Sequence, residues 1–248
     1  MPSKLSDVIA VILAGGYGTR VQHLLPGVPK PMARVAGKPF VEWVVRYLGV
    51  QGITKAILST GYLADLVEQH FANQPVNGVQ TLCYKETTPL GTAGGFLNAV
   101  HQVGEAPSAW LVVNGDSLVF ADLVSLTNHL FDSTVSGVIV GLAVTDTSRY
   151  GSLVCNERDD LVRFAEKCPG AGVINVGVYL LRSALMQEFP EGLPLSFEQE
   201  VFPALLAKGV RLKVHTVKAH FLDIGTPESL PQAETFILQN LNKLRILG

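Results

Sequence analysis

Seven consecutive apolar residues, Val8–Ala14, run straight into glycines at positions 15, 16 and 18. A strand with one wet face would alternate polar and apolar residues, and this run does not. It is too short for a buried helix and far short of the ~20 residues of a membrane span. What remains is a central strand buried on both faces, with a backbone free to turn sharply at its carboxyl end. That combination restricts the chain to an α/β architecture. Helical apolar spacing follows at residues 39–48, 63–71, 91–103 and 123–131. Strand-like runs separate these stretches, at 56–60, 80–85 and 109–113. The β-α-β-α order predicts a parallel sheet covered on both faces.

Beyond residue 135 the pattern changes. Strands are expected at 138–144, 152–155, 161–166 and 173–181, then a helix at 197–208 and strands at 211–217 and 220–224. Thr226 reads as an N-cap, with Pro227 at the first helical position and Glu228 at the positive helix end. A C-terminal helix is therefore expected from 227 to about 244. The fold class that results is α/β, a Rossmann-like three-layer fold with a mostly parallel mixed sheet. One domain over 1–248 is expected, with halves at about 8–135 and 136–225 and a C-terminal helix in 226–248.

Composition narrows the function. The formal net charge is −2, so there is no global basic field to attract nucleic acid. The three cysteines, Cys83, Cys155 and Cys168, are widely spaced and form no CxxC pair. That argues for a reduced compartment and against zinc. None of the six histidines lies in an HExxH motif. The N-terminal apolar stretch is too short for a signal peptide, so the chain reads as cytoplasmic, with no membrane partner.

Chemistry concentrates after the first strand. In LAGGYGTR, residues 13–20, the glycines let backbone N–H groups approach phosphate oxygens, and Arg20 adds a forked cation. The dinucleotide fingerprint fails, because Val21 stands where its last glycine belongs. A Walker A loop fails too, because Gly37-Lys38 is followed by Pro39. Ten residues after Arg20, Pro29 and Pro31 flank Lys30 and hold the backbone extended. Asp116 follows the strand at 109–113 beside Gly115, and Asp223 closes a short apolar strand. A carboxylate there suits Mg²⁺, which takes one or two carboxylates plus water and phosphate oxygens. Asp116 could equally be a turn residue capping the next helix.

LAGGYGTR followed by PKPM resembles the signature of the sugar-phosphate nucleotidyltransferases, the NDP-sugar pyrophosphorylases. The likeness runs from Val8 to about Glu234. It implies that Leu13, Ala14, Gly15, Gly16, Gly18, Thr19 and Arg20 hold a nucleoside triphosphate. It implies that Lys30 contacts phosphate and that Asp116 and Asp223 bind catalytic Mg²⁺. It assigns Lys167 to the phosphate of a sugar 1-phosphate, and Glu166, Asn175 and the Gly151 backbone to sugar hydroxyls. Arg20, Lys30, Asp116 and Lys167 become the catalytic set, and the halves become a nucleotide half and a sugar-phosphate half. One departure is the run after Arg20, where Val-Gln-His-Leu-Leu replaces the family's usual Leu-x-Pro-Leu-Thr.

The segment PLGTAG, residues 89–94, resembles the family's base-binding loop, with Gly91 and Thr92 at its centre. Within the family this segment is most like mannose-type guanylyltransferases, whereas Asn114-Gly115-Asp116-Ser117 and Arg149-Tyr150-Gly151 resemble those acting on a manno-configured heptose; heptose ranks first and mannose second. Glu86 ends a strand five residues before Gly91, where the resemblance places a base-reading side chain and a carboxylate could accept both donors of the guanine pairing edge. GTP is therefore the favoured nucleotide, with uridylyl and thymidylyl transfer as alternatives. A non-catalytic nucleotide-sugar-binding regulator is the rival from another class. Whether the chain forms a homodimer stays open.

Overall fold

The computed structural model describes residues 5–72, 75–165 and 169–244. The first apolar run is β1 (Val8–Ala14). After the glycine loop come a small hairpin, β2 (Arg34–Val35) and β3 (Lys38–Pro39), then α1 (Phe40–Val50). Next are β4 (Lys55–Thr60), α2 (Ala64–Phe71), β5 (Gln80–Lys85) and α3 (Gly91–Val103). Then follow β6 (Ala109–Asn114), β7 (Ser117–Val119) and the 3₁₀ helix Val124–Phe131. The remainder comprises β8 (Val135–Val144), β9 (Ser152–Cys155), β10 (Leu161–Ala165) and β11 (Gly172–Arg182). It ends with α4 (Phe202–Ala207), β12 (Arg211–Val217), β13 (Phe221–Asp223) and α5 (Ala233–Gln239).

Among the described residues, nine strands form one sheet. Its main order is β5-β4-β1-β6-β11-β8-β12, and the β9–β10 hairpin joins it at the start of β11. The strands β5, β4, β1 and β6 are parallel, as are β8 and β12. Within that order the exception is β11, which runs antiparallel between β6 and β8; β10 of the hairpin is also reversed. Successive residues of a strand face opposite sides, so β1 feeds two cores. Val8, Ala10 and Ile12 pack with α1, α2 and α5, whereas Ile9 and Val11 pack with α3 and α4. This is the expected three-layer fold with a mostly parallel mixed sheet. A separate two-stranded sheet pairs β7 with β13.

From β1 the chain steps outward to β4 and β5, then returns to β6 on the other edge of β1. Connections leaving opposite edges open a crevice beyond the carboxyl ends of β1 and β6, where ligands of open α/β sheets bind.

Three helical expectations need correction. The segment at 227–244 is not one helix. Thr226–Ser229 forms a turn closed by hydrogen bonds between those two residues, a 3₁₀ turn spans Leu230–Gln232, and only Ala233–Gln239 is α-helical. Pro231 is the reason: it has no N–H to bond backward and it disfavours the α conformation at Leu230. The segment at 197–208 opens as a π turn, Phe197–Val201, before α4. There the N–H groups of Val201 and Phe202 reach five residues back, to Ser196 and Phe197. Widening the turn accommodates Pro203, which in a regular helix would clash one turn earlier. The helix expected at 123–131 is a 3₁₀ helix.

One buried charge ties two outer helices together. Glu42 on α1 is 6% exposed. It accepts from Arg46 Nε at 2.8 Å and His70 Nε2 of α2 at 2.8 Å, and Lys38 Nζ lies 3.3 Å away. Burial pushes this carboxyl up, but the hydrogen bonds from Arg46 and His70 and the charges of Arg46 and Lys38 outweigh it. The carboxyl is thus held below the usual glutamate range. Its contribution to stability is present above the unfolded glutamate pKa and lost as pH falls through the lowered folded value. Glu42→Ala is expected to cost about 2–3 kcal/mol near neutral pH, less than a fully buried pair because its partners are half-exposed. Urea unfolding of both proteins at neutral and strongly acidic pH checks this: the difference should shrink only in acid.

Candidate active site

Glycines let three strand ends converge. Gly115 after β6 donates its N–H to Leu13 O at 2.9 Å, and Tyr62 after β4 donates to Gly15 O at 3.3 Å. A Cβ on Gly61 would lie 2.6 Å from Gly15 O, and one on Gly115 would lie 2.9 Å from Leu13 O. Backbone meets backbone at both points, so side chains are excluded. Gly18 has φ +62°, and a Cβ there would come within 2.9 Å of Lys30 Cβ. The glycine loop therefore lies directly on Lys30. Lys30 opens a 3₁₀ turn after extended Pro29, and Pro31 is buried. Its ammonium group pairs with the Asp116 carboxylate.

Asp223 reaches the same place through the small sheet. It is paired with Ser117, and Ile224 donates its N–H to Asp116 O at 2.9 Å. Burial and then the negative charge of Asp116 push the Asp223 carboxyl up; the Gly225 N–H and the Lys30 and Arg20 cations only partly offset this. Two carboxylates thus crowd each other beside one lysine. Among the described residues no group of three or more His, Cys, Asp or Glu side chains could hold a metal alone. A pair of repelling carboxylates fits a cation whose shell is completed by phosphate and water. Exposed Arg20 forms no ion pair among the described residues, and its charge acts on both Asp223 and Tyr150.

A cleft of about 500 Å³ extends from Lys30 and Asp116 along Leu13–Gly16 to the β5–α3 loop. Glu86 stands on its far wall, half-buried. It accepts from Ser59 Oγ at 2.9 Å and from Leu90 N–H at 3.3 Å. Its Oε1 lies where a Cβ on Gly15 or Gly95 would fall, at 2.7 and 2.4 Å. Burial raises its carboxyl above the usual glutamate value, against the pull of those two hydrogen bonds. Gly91 has φ +78° and presses on Leu195 O. Leu195 O also takes the N–H groups of Ala93 and Gly94, and Thr92 Oγ1 accepts from Phe197 N. The start of α3 is thus largely satisfied by the chain itself.

Asn175 sits at a β-bulge, where the β11–β8 register shifts between Asn175 and Tyr179. Gly177, at φ +72°, packs against the Asn114 amide at the end of β6, and its N–H donates to Asn175 Oδ1 at 3.0 Å. Asn175 N–H bonds to Gly151 O at 3.3 Å, joining two of the expected sugar-side residues. The Asn175 amide also donates to Tyr179 OH at 2.8 Å, and Tyr179 OH donates to Glu198 Oε1 at 2.8 Å. Sequence reasoning overlooked Glu198. Its signal was the cap around Ser196, whose hydroxyl accepts from the N–H groups of Glu198 and Gln199 while Glu200 accepts from Ser196 N–H. Glu166 and Lys167 lie outside the described residues.

The structure therefore gathers Leu13, Ala14, Gly15, Gly16, Lys30, Glu86, Gly91, Thr92 and Asp116 on one cleft. Gly18 and Asp223 adjoin it through Lys30 and Asp116, and Thr19 and Arg20 lie on the exposed side of the loop. Gly151 and Asn175 form a separate group near the β6 end. No helix among the described residues is long and apolar enough to cross a membrane.

A nucleotidyl transferase family model matches residues 9–240. The mannose-1-phosphate guanylyltransferase of Mycobacterium tuberculosis is 32% identical over 238 residues, covering 95% of this chain and 66% of the relative. The D-glycero-alpha-D-manno-heptose 1-phosphate guanylyltransferase of Campylobacter jejuni is 32% identical over 220 residues, covering 88% of this chain and 95% of the relative. The chain thus spans just under two thirds of the first and nearly all of the second. Two crystal structures of HddC from Yersinia pseudotuberculosis, the second complexed with GMP-PN, are 33% and 34% identical, with TM-scores of 0.80 and 0.78. Each covers 92% of this chain and 98% of HddC. Enzymes of this kind generally use a divalent metal. On the sequence match and the shared fold together, the chain belongs to the nucleotidyl transferase family.

Proposed function

We propose that this enzyme transfers a guanylyl group from GTP to D-glycero-α-D-manno-heptose 1-phosphate, forming GDP-heptose and pyrophosphate. The observation that carries the guanylyl reading is Glu86, a half-buried carboxylate on the cleft wall opposite Lys30 and Asp116. Guanine offers two adjacent donors to such a group, whereas uracil and thymine put acceptors against it. Relatives named as guanylyltransferases support the base, and the Campylobacter jejuni relative supports the heptose. Mannose 1-phosphate is the second reading, supported by the Mycobacterium tuberculosis relative. The cytoplasm is the proposed compartment, since both substrates are phosphorylated metabolites.

In this mechanism a phosphate oxygen of the sugar 1-phosphate attacks the α-phosphorus of GTP. A P–O bond forms there as the bond to pyrophosphate breaks. No protein nucleophile is needed, so the chain acts by positioning and by neutralising charge. The loop at 13–20 holds the triphosphate, with Arg20 on its outer side and Lys30 beneath it. Asp116 and Asp223 would hold Mg²⁺, which when bound neutralises phosphate charge. Gly151, Asn175 and Glu166 are proposed to select the sugar, and Lys167 to bind its phosphate.

Asp116→Asn and Asp223→Asn are each expected to lower turnover at least ~10²-fold with the fold retained, as removal of one transition-state stabilising group does. Steady-state rates and circular dichroism check this, and EDTA should abolish wild-type activity. Near-normal rates in either variant would remove that residue from the metal site.

Glu86→Gln is expected to lower the ratio of kcat/KM for GTP to that for UTP by roughly 5–100-fold, the worth of one bidentate base contact. Because burial raises the Glu86 carboxyl, the wild-type preference should fade as pH drops through a value above the ordinary glutamate one. The variant should lack that dependence. Pyrophosphate release from four nucleotides against heptose, mannose and glucose 1-phosphates tests the function itself. A wild type that favours UTP or dTTP would overturn the guanylyl reading.

A further inference from the structure

The side chains of two tyrosines on the cleft wall have no part in the scheme above. Tyr17 stands at the tip of the glycine loop, between Gly16 and Gly18, and is 52% exposed. Tyr62 lies in the turn between β4 and α2. Their ring centroids are 5.5 Å apart with the planes tilted by 38°. Both line the cleft that holds Glu86.

The two residues are held differently. Tyr62 is fixed at both ends, its N–H on Gly15 O at 3.3 Å and its hydroxyl accepting from Gln22 Nε2 at 3.3 Å. Among the described residues Tyr17 is held by its ring contact with Tyr62 alone, and its hydroxyl has no partner. Tyr17 therefore presents a large ring, without a fixed hydroxyl partner, to whatever enters the cleft. Glu86 can read the edge of a purine, but an edge contact leaves the ring faces uncovered. Beside Glu86 the cleft is lined by glycines and by the Thr87–Leu90 segment, and Tyr17 and Tyr62 are the aromatic rings among its described lining residues.

We propose that Tyr17 and Tyr62 form an aromatic wall on which the face of the nucleobase packs. Glu86 then selects the base by its edge, and the tyrosine pair holds its plane. The inference rests on reading this cleft as the nucleotide site. It carries a distinct signature, because stacking is blind to the hydrogen-bonding edge and grows with ring area. Loss of the wall should weaken every nucleotide, purines more than pyrimidines, and should leave the phosphate contacts intact.

Calorimetric titration in Mg²⁺ buffer with GTP, UTP and inorganic tripolyphosphate separates these effects. The proteins are wild type, Tyr17→Leu, Tyr62→Leu, Tyr17→Phe and Tyr62→Phe. Each Leu variant is expected to weaken GTP at least about fivefold and UTP less, with tripolyphosphate within about twofold of wild type. The Phe variants should bind GTP as wild type does. Tyr17 is exposed, so Tyr17→Leu keeps the test decisive even if Tyr62→Leu unfolds. Unchanged GTP affinity in Tyr17→Leu would overturn the proposal. So would a tripolyphosphate loss matching the GTP loss, since the tyrosines would then only shape the loop. A wild type that binds GTP no better than tripolyphosphate would instead remove the nucleotide reading of the cleft, and this inference with it.

Discussion

The close approach of the ends of β1, β4 and β6 sets the position of everything else in the site. Leu13 and Gly15 expose carbonyls that are met by N–H groups from the turns after β6 and β4. Both contacts are backbone to backbone, and neither survives a Cβ on Gly115 or Gly61 without movement. Because the chain leaves β1 towards β4 and returns from β5 to β6 on its other edge, a crevice opens at this junction. The glycine loop, the β5–α3 loop and the turn carrying Asp116 therefore open onto one crevice. Each starts from a strand whose register is fixed by the sheet.

Electrostatics then divides the cleft into two ends. At one, Lys30, Arg20 and two carboxylates bring opposite charges together without neutralising Asp223, whose carboxyl stays raised. A polyanion accompanied by a divalent cation resolves that imbalance. At the other end the start of α3 would ordinarily offer free N–H groups to phosphate. Leu195 O takes two of them, and Glu86 accepts the Leu90 N–H just before the helix. That end is therefore poor at holding phosphate and better suited to a neutral base. One end of the cleft thus has its donors occupied by the chain, while the other presents Arg20 and the Lys30–Asp116 pair, an arrangement that suits the proposed placing of base and phosphates at opposite ends.

Much of this was legible because it depends on local rules. Val8–Ala14 could only be a doubly buried strand, and the helix at 91–103 matches its expected bounds because apolar spacing and glycine at both ends agree. The glycines were legible in type but not in reason. Gly18 serves a positive φ, Gly115 a backbone contact, and a Cβ on Gly16 would meet nothing. Two of the three helical failures came where a proline competed with helical periodicity; the third, the 3₁₀ helix Val124–Phe131, contains none. Pro203 and Pro231 sit inside apolar patterns that favour a helix, and the missing N–H forced a π turn at one and a broken start at the other. The pairing of β7 with β13 was not legible either. Three-residue strands carry almost no periodic signal, and their partners lie about a hundred residues apart, yet this pair brings Asp116 and Asp223 together.

The bulge in β11 shows how rigidity reaches the proposed sugar side. Tyr179 is fully buried, its ring packed among Phe197 and Phe202. Burial and the Glu198 charge hold its phenol well above the ordinary range, so it remains a neutral donor to Glu198 and an acceptor for Asn175. Asn175 is thus fixed by a core residue, not by a surface loop, and its Oδ1 is occupied by Gly177 N–H. A hydroxyl entering beside it meets groups whose positions were set when the core packed. Polar groups held in this way discriminate by geometry, because a hydroxyl of the wrong configuration leaves them unpaired. The glycine at 177 makes this possible: only a residue without Cβ can take φ +72° while lying on the Asn114 amide. The proposed selection of the sugar and the shape of the sheet would therefore rest on the same bulge.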